Sequence, residues 1–215
     1  MACRQAATLL AGALFIAPAL AQEEAHEEAL LPATELVAGR SQEEWSVAWW
    51  QWAGAFDTQN SPVADRTGVL CGRKQAGPVW FLAGTYGTKR TVRSCTVPKG
   101  RYLFFPLVNY AVMPGSPQTR CDEVKRDARS MTDNAAWLLL ELDGVRVQGL
   151  EAHRLAPQKC FDAGLRSEER VRIYPSAANG YYVMLKPLSP GMHTLNFGGG
   201  LPSMMQAVTY TLTVE

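Results

Sequence analysis

Apolar residues recur along this chain with two different periods, and the change of period marks out its elements. Over residues 42–56 the period is helical. At 100° per residue, Trp45, Trp49, Trp52 and Phe56 fall within about 60° of one another, with Ala48 and Ala53 flanking them. The preceding Ser41-Gln42-Glu43-Glu44 has the form S-x-x-E, in which the serine hydroxyl accepts from the glutamate N–H and the glutamate carboxylate reaches back to the serine N–H. This spacing predicts a helix from Gln42 to about Phe56, ended by Asp57, Asn60 and Pro62. Its aromatic stripe is expected to pack on a sheet, each ring burying about 150–250 Å². Trp50 lies roughly 100° off that stripe. It is therefore the member of the run least accounted for by packing, and a candidate to stack on a ligand or dock a partner.

From residue 79 onward the period is close to two. Val79-Trp80-Phe81-Leu82-Ala83 is a continuous apolar run between glycines and reads as a strand covered on both faces. TVRSCTV (91–97) alternates and is rich in β-branched residues. RYLFFPLVNYAV (101–112) predicts a third strand interrupted at Pro106, whose missing N–H implies a sheet edge, a bulge or a strand end. WLLLEL (137–142), Asp143-Gly144 and VRV (145–147) together predict a two-residue hairpin. Further strands are expected at 171–174, 180–185, 192–197 and 207–214, with Pro190-Gly191 as a turn. TRCDEVKRDARSM (119–131) is charged and does not alternate, which predicts a short surface helix tethered by Cys121. The expected fold is mainly β: one antiparallel β-sandwich domain over 41–215, immunoglobulin-like or jelly-roll-like, with an N-terminal amphipathic helix and one further short helix.

Four segments, VWFLAG, RSCTVPKGRYLFFPLVN, GYYVMLKPLSPGMHTLNFGGG and VTYTLTV, resemble a group of uncharacterised secreted bacterial proteins with tryptophan-rich starts and "L-S-P-G-x-H-T" endings. The likeness covers most of the chain after residue 21. It implies export and an immunoglobulin-like β-sandwich ending, and it implies no particular activity.

Composition then sets the compartment. Residues 1–21 carry Arg4, an apolar run and a terminal Ala19-Leu20-Ala21, the pattern of a signal peptide. The run is shorter than the roughly 20 residues a membrane-spanning helix needs. The expected protein is therefore periplasmic or secreted, with no transmembrane segment after cleavage. Cys71, Cys95, Cys121 and Cys160 then remain, an even number suited to two disulfides. Three pairings are open. Cys71–Cys95 with Cys121–Cys160 closes the shorter loops, each contributing about 3–4 kcal/mol in the chain-entropy model. The whole chain has a formal charge of +1. Five glutamates and no lysine or arginine lie in 22–36, so an acidic, solvated arm is expected over 22–40. No dense basic stripe or nucleic-acid motif is present, which argues against a nucleic-acid partner.

Motifs of known chemistry are missing: there is no G-x-S-x-G, H-E-x-x-H, P-loop or dinucleotide fingerprint. No cofactor or metal is expected. There is no C-x-x-C, no histidine lies at ligand spacing from a cysteine, and a His153–His193 metal site depends on the fold bringing the two together. His26 falls in the acidic arm, and the methionines read as core filling. Asp65 and Arg93 are each expected to make a structural ion pair. With a histidine in the same pocket they would instead favour a hydrolase. The leading expectation is a noncatalytic binding or interaction protein. Its contact surface joins Trp50 to the loop aromatics Tyr86 and Tyr110, with Arg93 or Asn109 for polar contacts and a polysaccharide or envelope protein as partner. A secreted hydrolase with an unfamiliar site and a structural envelope component are the alternatives.

Overall fold

The computed structural model describes residues 29–86, 89–164 and 172–215. The expected signal segment, residues 22–28 of the acidic arm, and Val171 lie outside them. The strands form two sheets. One has the order β1 (Val79–Phe81), β3 (Tyr102–Val112), β7 (Ala177–Leu185), β6 (Arg154–Leu155). The other has the order β2 (Thr91–Val97), β9 (Met204–Val214), β8 (Gly191–Leu201), β4 (Trp137–Leu142), β5 (Val145–Arg146). Between them lies a core built on Leu103, Phe105, Val183, Leu140, Phe197 and Tyr210. On the outer face of the first sheet sits helix α1 (Gln42–Gly54), making a third layer.

α1 starts as its sequence dictates. Ser41 accepts from the Glu44 N–H at 3.2 Å, and the Ser41 N–H donates to Glu44 Oε2 at 2.8 Å. The expected stripe is buried: Trp45, Trp49 and Trp52 pack against Phe81, Phe104, Tyr182 and Met184. Each indole N–H also finds a carbonyl, Trp45 at Val37 (3.0 Å), Trp49 at Leu82 (2.9 Å) and Trp52 at Arg73 (2.9 Å). These three indoles are thus buried without an orphaned donor.

The sheets are not wholly antiparallel. β1 pairs with β3, and β2 with β9, in parallel. The chain alternates between sheets (β1 in the first, β2 in the second, β3 back in the first), so β1 and β3 meet with the same direction. Strand β3 runs through Pro106 without ending. The proline lies beyond the end of β1, and its register with β7 shifts between Pro106 and Val108 as a bulge. The expected strand at 171–174 is not formed over Arg172–Tyr174. There Ile173 N–H donates to Asp162 Oδ1, and pairing resumes only at Ser176 and Ala177, after Pro175. The second helix, α2 (Cys121–Thr132), lies within a residue or two of its expected place.

Both disulfides are present, Cys71–Cys95 and Cys121–Cys160, spanning 24 and 39 residues. The expected solvated arm is anchored in its second half. Leu31 N–H donates to Met184 C=O and Lys186 N–H to Ala29 C=O, extending the free edge of β7, and Leu31 and Val37 are buried. Apolar Leu30, Leu31 and Val37 supply the reason: once the glutamate run ends, the chain has side chains to bury. Among the described residues no helix is long and apolar enough to cross a membrane.

Candidate functional site

Where β3 emerges past the end of β1, four other parts of the chain, among them the segment carrying Val63, converge on it and leave a cavity of about 180 Å³. α1 contributes Trp49 and Trp50. The connection from β1 to β2 contributes Gly84, Thr85 and Tyr86. The end of β3 contributes Asn109 and Tyr110, and the start of β9 contributes Met204 and Gln206. Four of the five residues expected to form a contact surface, Trp50, Tyr86, Asn109 and Tyr110, therefore share one site. Tyr86 is 71% exposed at its rim, and Trp50 is half-buried in its wall.

The polar groups of this cavity are largely engaged with the protein itself. Trp50 Nε1–H donates to the Tyr182 hydroxyl at 2.8 Å, and Asn109 Nδ2 donates to the same oxygen at 3.1 Å. Burial pushes the Tyr182 phenol well above its ordinary pKa, against the opposing pull of the bonds from Asn109 and Trp50. It stays a neutral hydroxyl that accepts from both neighbours. Gln206 donates to the Pro106 and Leu107 carbonyls (2.8 and 2.6 Å) and accepts from the Thr85 N–H at 3.2 Å. One amide thus satisfies the bulge in β3 and ties it across the sandwich to the 84–86 segment. Sequence reasoning missed Gln206, although a signal was available. It stands in phase with Val208, Tyr210, Leu212 and Val214, the inward positions of β9, as the polar member of that row.

Arg93 corrects an expectation. It is 1% exposed and makes no part of a contact surface. In β2 it shares the inward phase of Thr91, Cys95 and Val97, and the alternation buries it. Its guanidinium donates to the carbonyls of Val63, Asp65, Ala83 and Gly84 at 2.7–3.1 Å and to the Tyr210 hydroxyl at 3.2 Å. Arg93 therefore works beneath the site, fastening the two loops that carry Val63, Gly84 and Tyr86. Arg93 meets Asp65 only at its backbone carbonyl, a hydrogen bond and not an ion pair, and among the described residues neither side chain makes the ion pair expected of it. The Asp65 carboxylate instead accepts from the N–H groups of Thr67 (2.8 Å) and Leu70 (2.9 Å). Burial raises its pKa, these bonds lower it, and the balance lies below the ordinary carboxylate value.

A second groove, of about 440 Å³, adjoins the cavity and shares Val63, Thr85 and Tyr86 with it. Its other lining residues include the exposed cations Arg66 and Lys89.

Elsewhere a serine, a histidine and an aspartate come together. His193 Nδ1 lies 2.8 Å from Asp143 Oδ2, and its Nε2 lies 3.4 Å from Ser189 Oγ. A nucleophilic serine needs a deprotonated nitrogen facing its hydroxyl. Here Nε2 sits closer, at 2.9 Å, to the Ser189 carbonyl, which only accepts. Both ring nitrogens then face acceptors and both carry protons. Burial alone would lower the His193 pKa, but the Asp143 and Ser189 oxygens outweigh it and hold the pKa above the ordinary histidine value. The trio is a cationic staple between the turn before β8 and the β4–β5 turn, without a free base. His153 is buried, with Nδ1 lacking a partner among the described residues, and burial lowers its pKa. Among the described residues no group of three or more His, Cys, Asp or Glu side chains lies together as a metal site would require.

No protein-family model and no curated protein matches the chain. A chain in the solved structure of PbICP-C in complex with falcipain-2 is similar over 65% of this chain and 100% of its own length, at 13% identity and a TM-score of 0.30. That likeness is too low to bear on function.

Proposed function

We propose that this protein is an exported, noncatalytic binding protein of the bacterial envelope or secretome. It receives an apolar group of a polymer or protein partner in the aromatic-walled cavity beside Trp50. The observation that carries this is the convergence of Trp50, Tyr86 and Tyr110 on one concave site in which Asn109 Nδ2 is bonded to Tyr182 and the Gln206 amide to the Pro106 and Leu107 carbonyls. Such walls favour desolvation of a ligand and offer little acid–base chemistry. The two disulfides are compatible with an oxidising compartment, periplasm or medium. An immunoglobulin-like or jelly-roll-like sandwich, with contacts carried by the loops at one end, accords with this role.

The chain has six tryptophans, each giving a separate indole N–H resonance in a ¹⁵N-labelled sample. Titration with envelope polysaccharides and with short peptides is expected to move the Trp50 resonance while leaving those of Trp45 and Trp52 in place. If no probe of either class moves Trp50, the proposal fails.

A further inference from the structure

The aromatic cavity and the cationic groove form a single composite surface, since Val63, Thr85 and Tyr86 line both. Its two halves differ in chemistry. The cavity half has no charged lining residue, and its volume of about 180 Å³ is on the scale of the roughly 150 Å³ space that holds one benzene ring. The other half presents Arg66 and Lys89, both exposed. Among the described residues neither lining contains an aspartate or glutamate. The nearest acid in sequence, Asp65, has its carboxylate bonded to the Thr67 and Leu70 N–H groups, and among the described residues it makes no ion pair with either cation.

Resting on the binding role proposed above, we infer that the occupant is an acidic–aromatic peptide segment of a protein partner. One aromatic side chain fills the cavity, and a carboxylate beside it lies over Arg66 and Lys89. Charge complementarity sets the sign: two exposed cations with no ion-pair partner among the described residues call for an anion. The choice of peptide over polysaccharide follows from hydrogen bonding. A sugar ring entering the cavity would bring hydroxyls that need partners. Gln206 has committed both amide hydrogens and its oxygen, and the Trp50 N–H and an Asn109 amide hydrogen are committed to Tyr182. A phenyl ring makes no such demand. Tyr86, at the boundary of the two halves, would contact both parts of the ligand.

The test uses four blocked pentapeptides of sequence Gly-X-Phe-X-Gly, with X as Glu, Gln or Lys, and the Glu peptide with Phe replaced by Ala. The Trp50 indole resonance is followed on the whole protein. The Glu peptide is expected to bind about tenfold more tightly than the Gln peptide at low salt, from two solvent-exposed charge contacts. That advantage is expected to shrink at high salt. The Lys and Ala peptides are expected to bind more weakly still. The double variant Arg66→Gln, Lys89→Gln, altered only at exposed positions, is expected to bind Glu and Gln peptides equally while keeping the Gln-peptide affinity. Equal affinities of the unaltered protein for Glu and Gln peptides would overturn the acidic preference and leave the binding role standing. A response to envelope polysaccharide but to no peptide would overturn the peptide assignment alone. Silence toward both would overturn this inference and the proposed function together.

Discussion

Trp50 and Tyr182 lie 132 residues apart and are joined by one hydrogen bond of 2.8 Å, from the indole N–H to the phenol oxygen. That oxygen also accepts from Asn109, so helix α1, strand β7 and strand β3 meet at one buried atom. Tyr182→Phe keeps the ring stacked on Phe104, 5.6 Å away between centroids, and removes only the acceptor. Two N–H donors then lose their partner. The expected cost is about 1–3 kcal/mol, read as a lower urea midpoint at unchanged slope. The Trp50 indole resonance should shift in the same variant. An unchanged midpoint and resonance would mean that this bond holds nothing.

Arg93 leads to a larger effect. Arg93→Met keeps an apolar stem of similar length in the core but removes a donor from each of four loop carbonyls, of which Ala83 alone keeps a second, the Tyr210 hydroxyl, among the described residues. Loss of that set is expected to cost about 3 kcal/mol or more, detected by thermal or urea unfolding. Arg93→Lys should recover only part of it, because an ammonium cannot match the spread of a planar guanidinium.

The His193 staple makes stability depend on pH with a definite sign. The folded pKa is raised above the unfolded value of about 6.5. The contribution is therefore fully present below pH 6.5 or so and is lost as pH rises through the folded pKa. Unfolding midpoints of the unaltered protein and of His193→Gln should differ more at pH 6 than at pH 9. A gap that widens toward alkaline pH would refute the protonated staple.

Gly180 pairs with Asn109 across β7 and β3. A Cβ at Gly180 would lie 2.5 Å from the Asn109 Cα, a backbone atom that cannot rotate aside. Gly180→Ala should therefore push the two strands apart at the cavity, lowering the thermal midpoint and weakening any ligand that moves Trp50. Gly144→Ala, far from the cavity, should leave ligand affinity unchanged whatever it does to the β4–β5 turn.

Features governed by neighbouring residues were legible in the chain. The Ser41–Glu44 box, the aromatic stripe, the Asp143-Gly144 turn and the alternation of β2 and β9 all depend on local spacing. Part of the site was legible for the same reason: Trp50 stands off the stripe, and Asn109 and Tyr110 fall at the end of the buried run of β3, though Tyr110 is paired inside the strand and is not the loop aromatic expected. Arg93 was misjudged because its charge was weighed ahead of its place in the alternation, which puts it inside. Gly198-Gly199-Gly200 looked like the end of a strand, yet β8 continues to Leu201. Those glycines allow close packing that no local pattern records: a Cβ at Gly199 would sit 2.7 Å from the Val108 side chain on the other sheet. The parallel pairings and the meeting of Trp50 with Tyr182 depend on which strands change sheet, a property of the whole chain.

Trp49 and Trp50 are consecutive, one seated in the core against the Leu82 carbonyl and the other forming a wall of the cavity. The cavity therefore exists only while the helix is docked, and its occupancy by any ligand and docking of the helix are thermodynamically linked. A ligand at one hundred times its dissociation constant would add about 2.7 kcal/mol to the free energy of unfolding. It would also slow amide hydrogen exchange along residues 42–54 whenever undocking is the opening step. Candidate ligands can then be ranked by the heat resistance they confer.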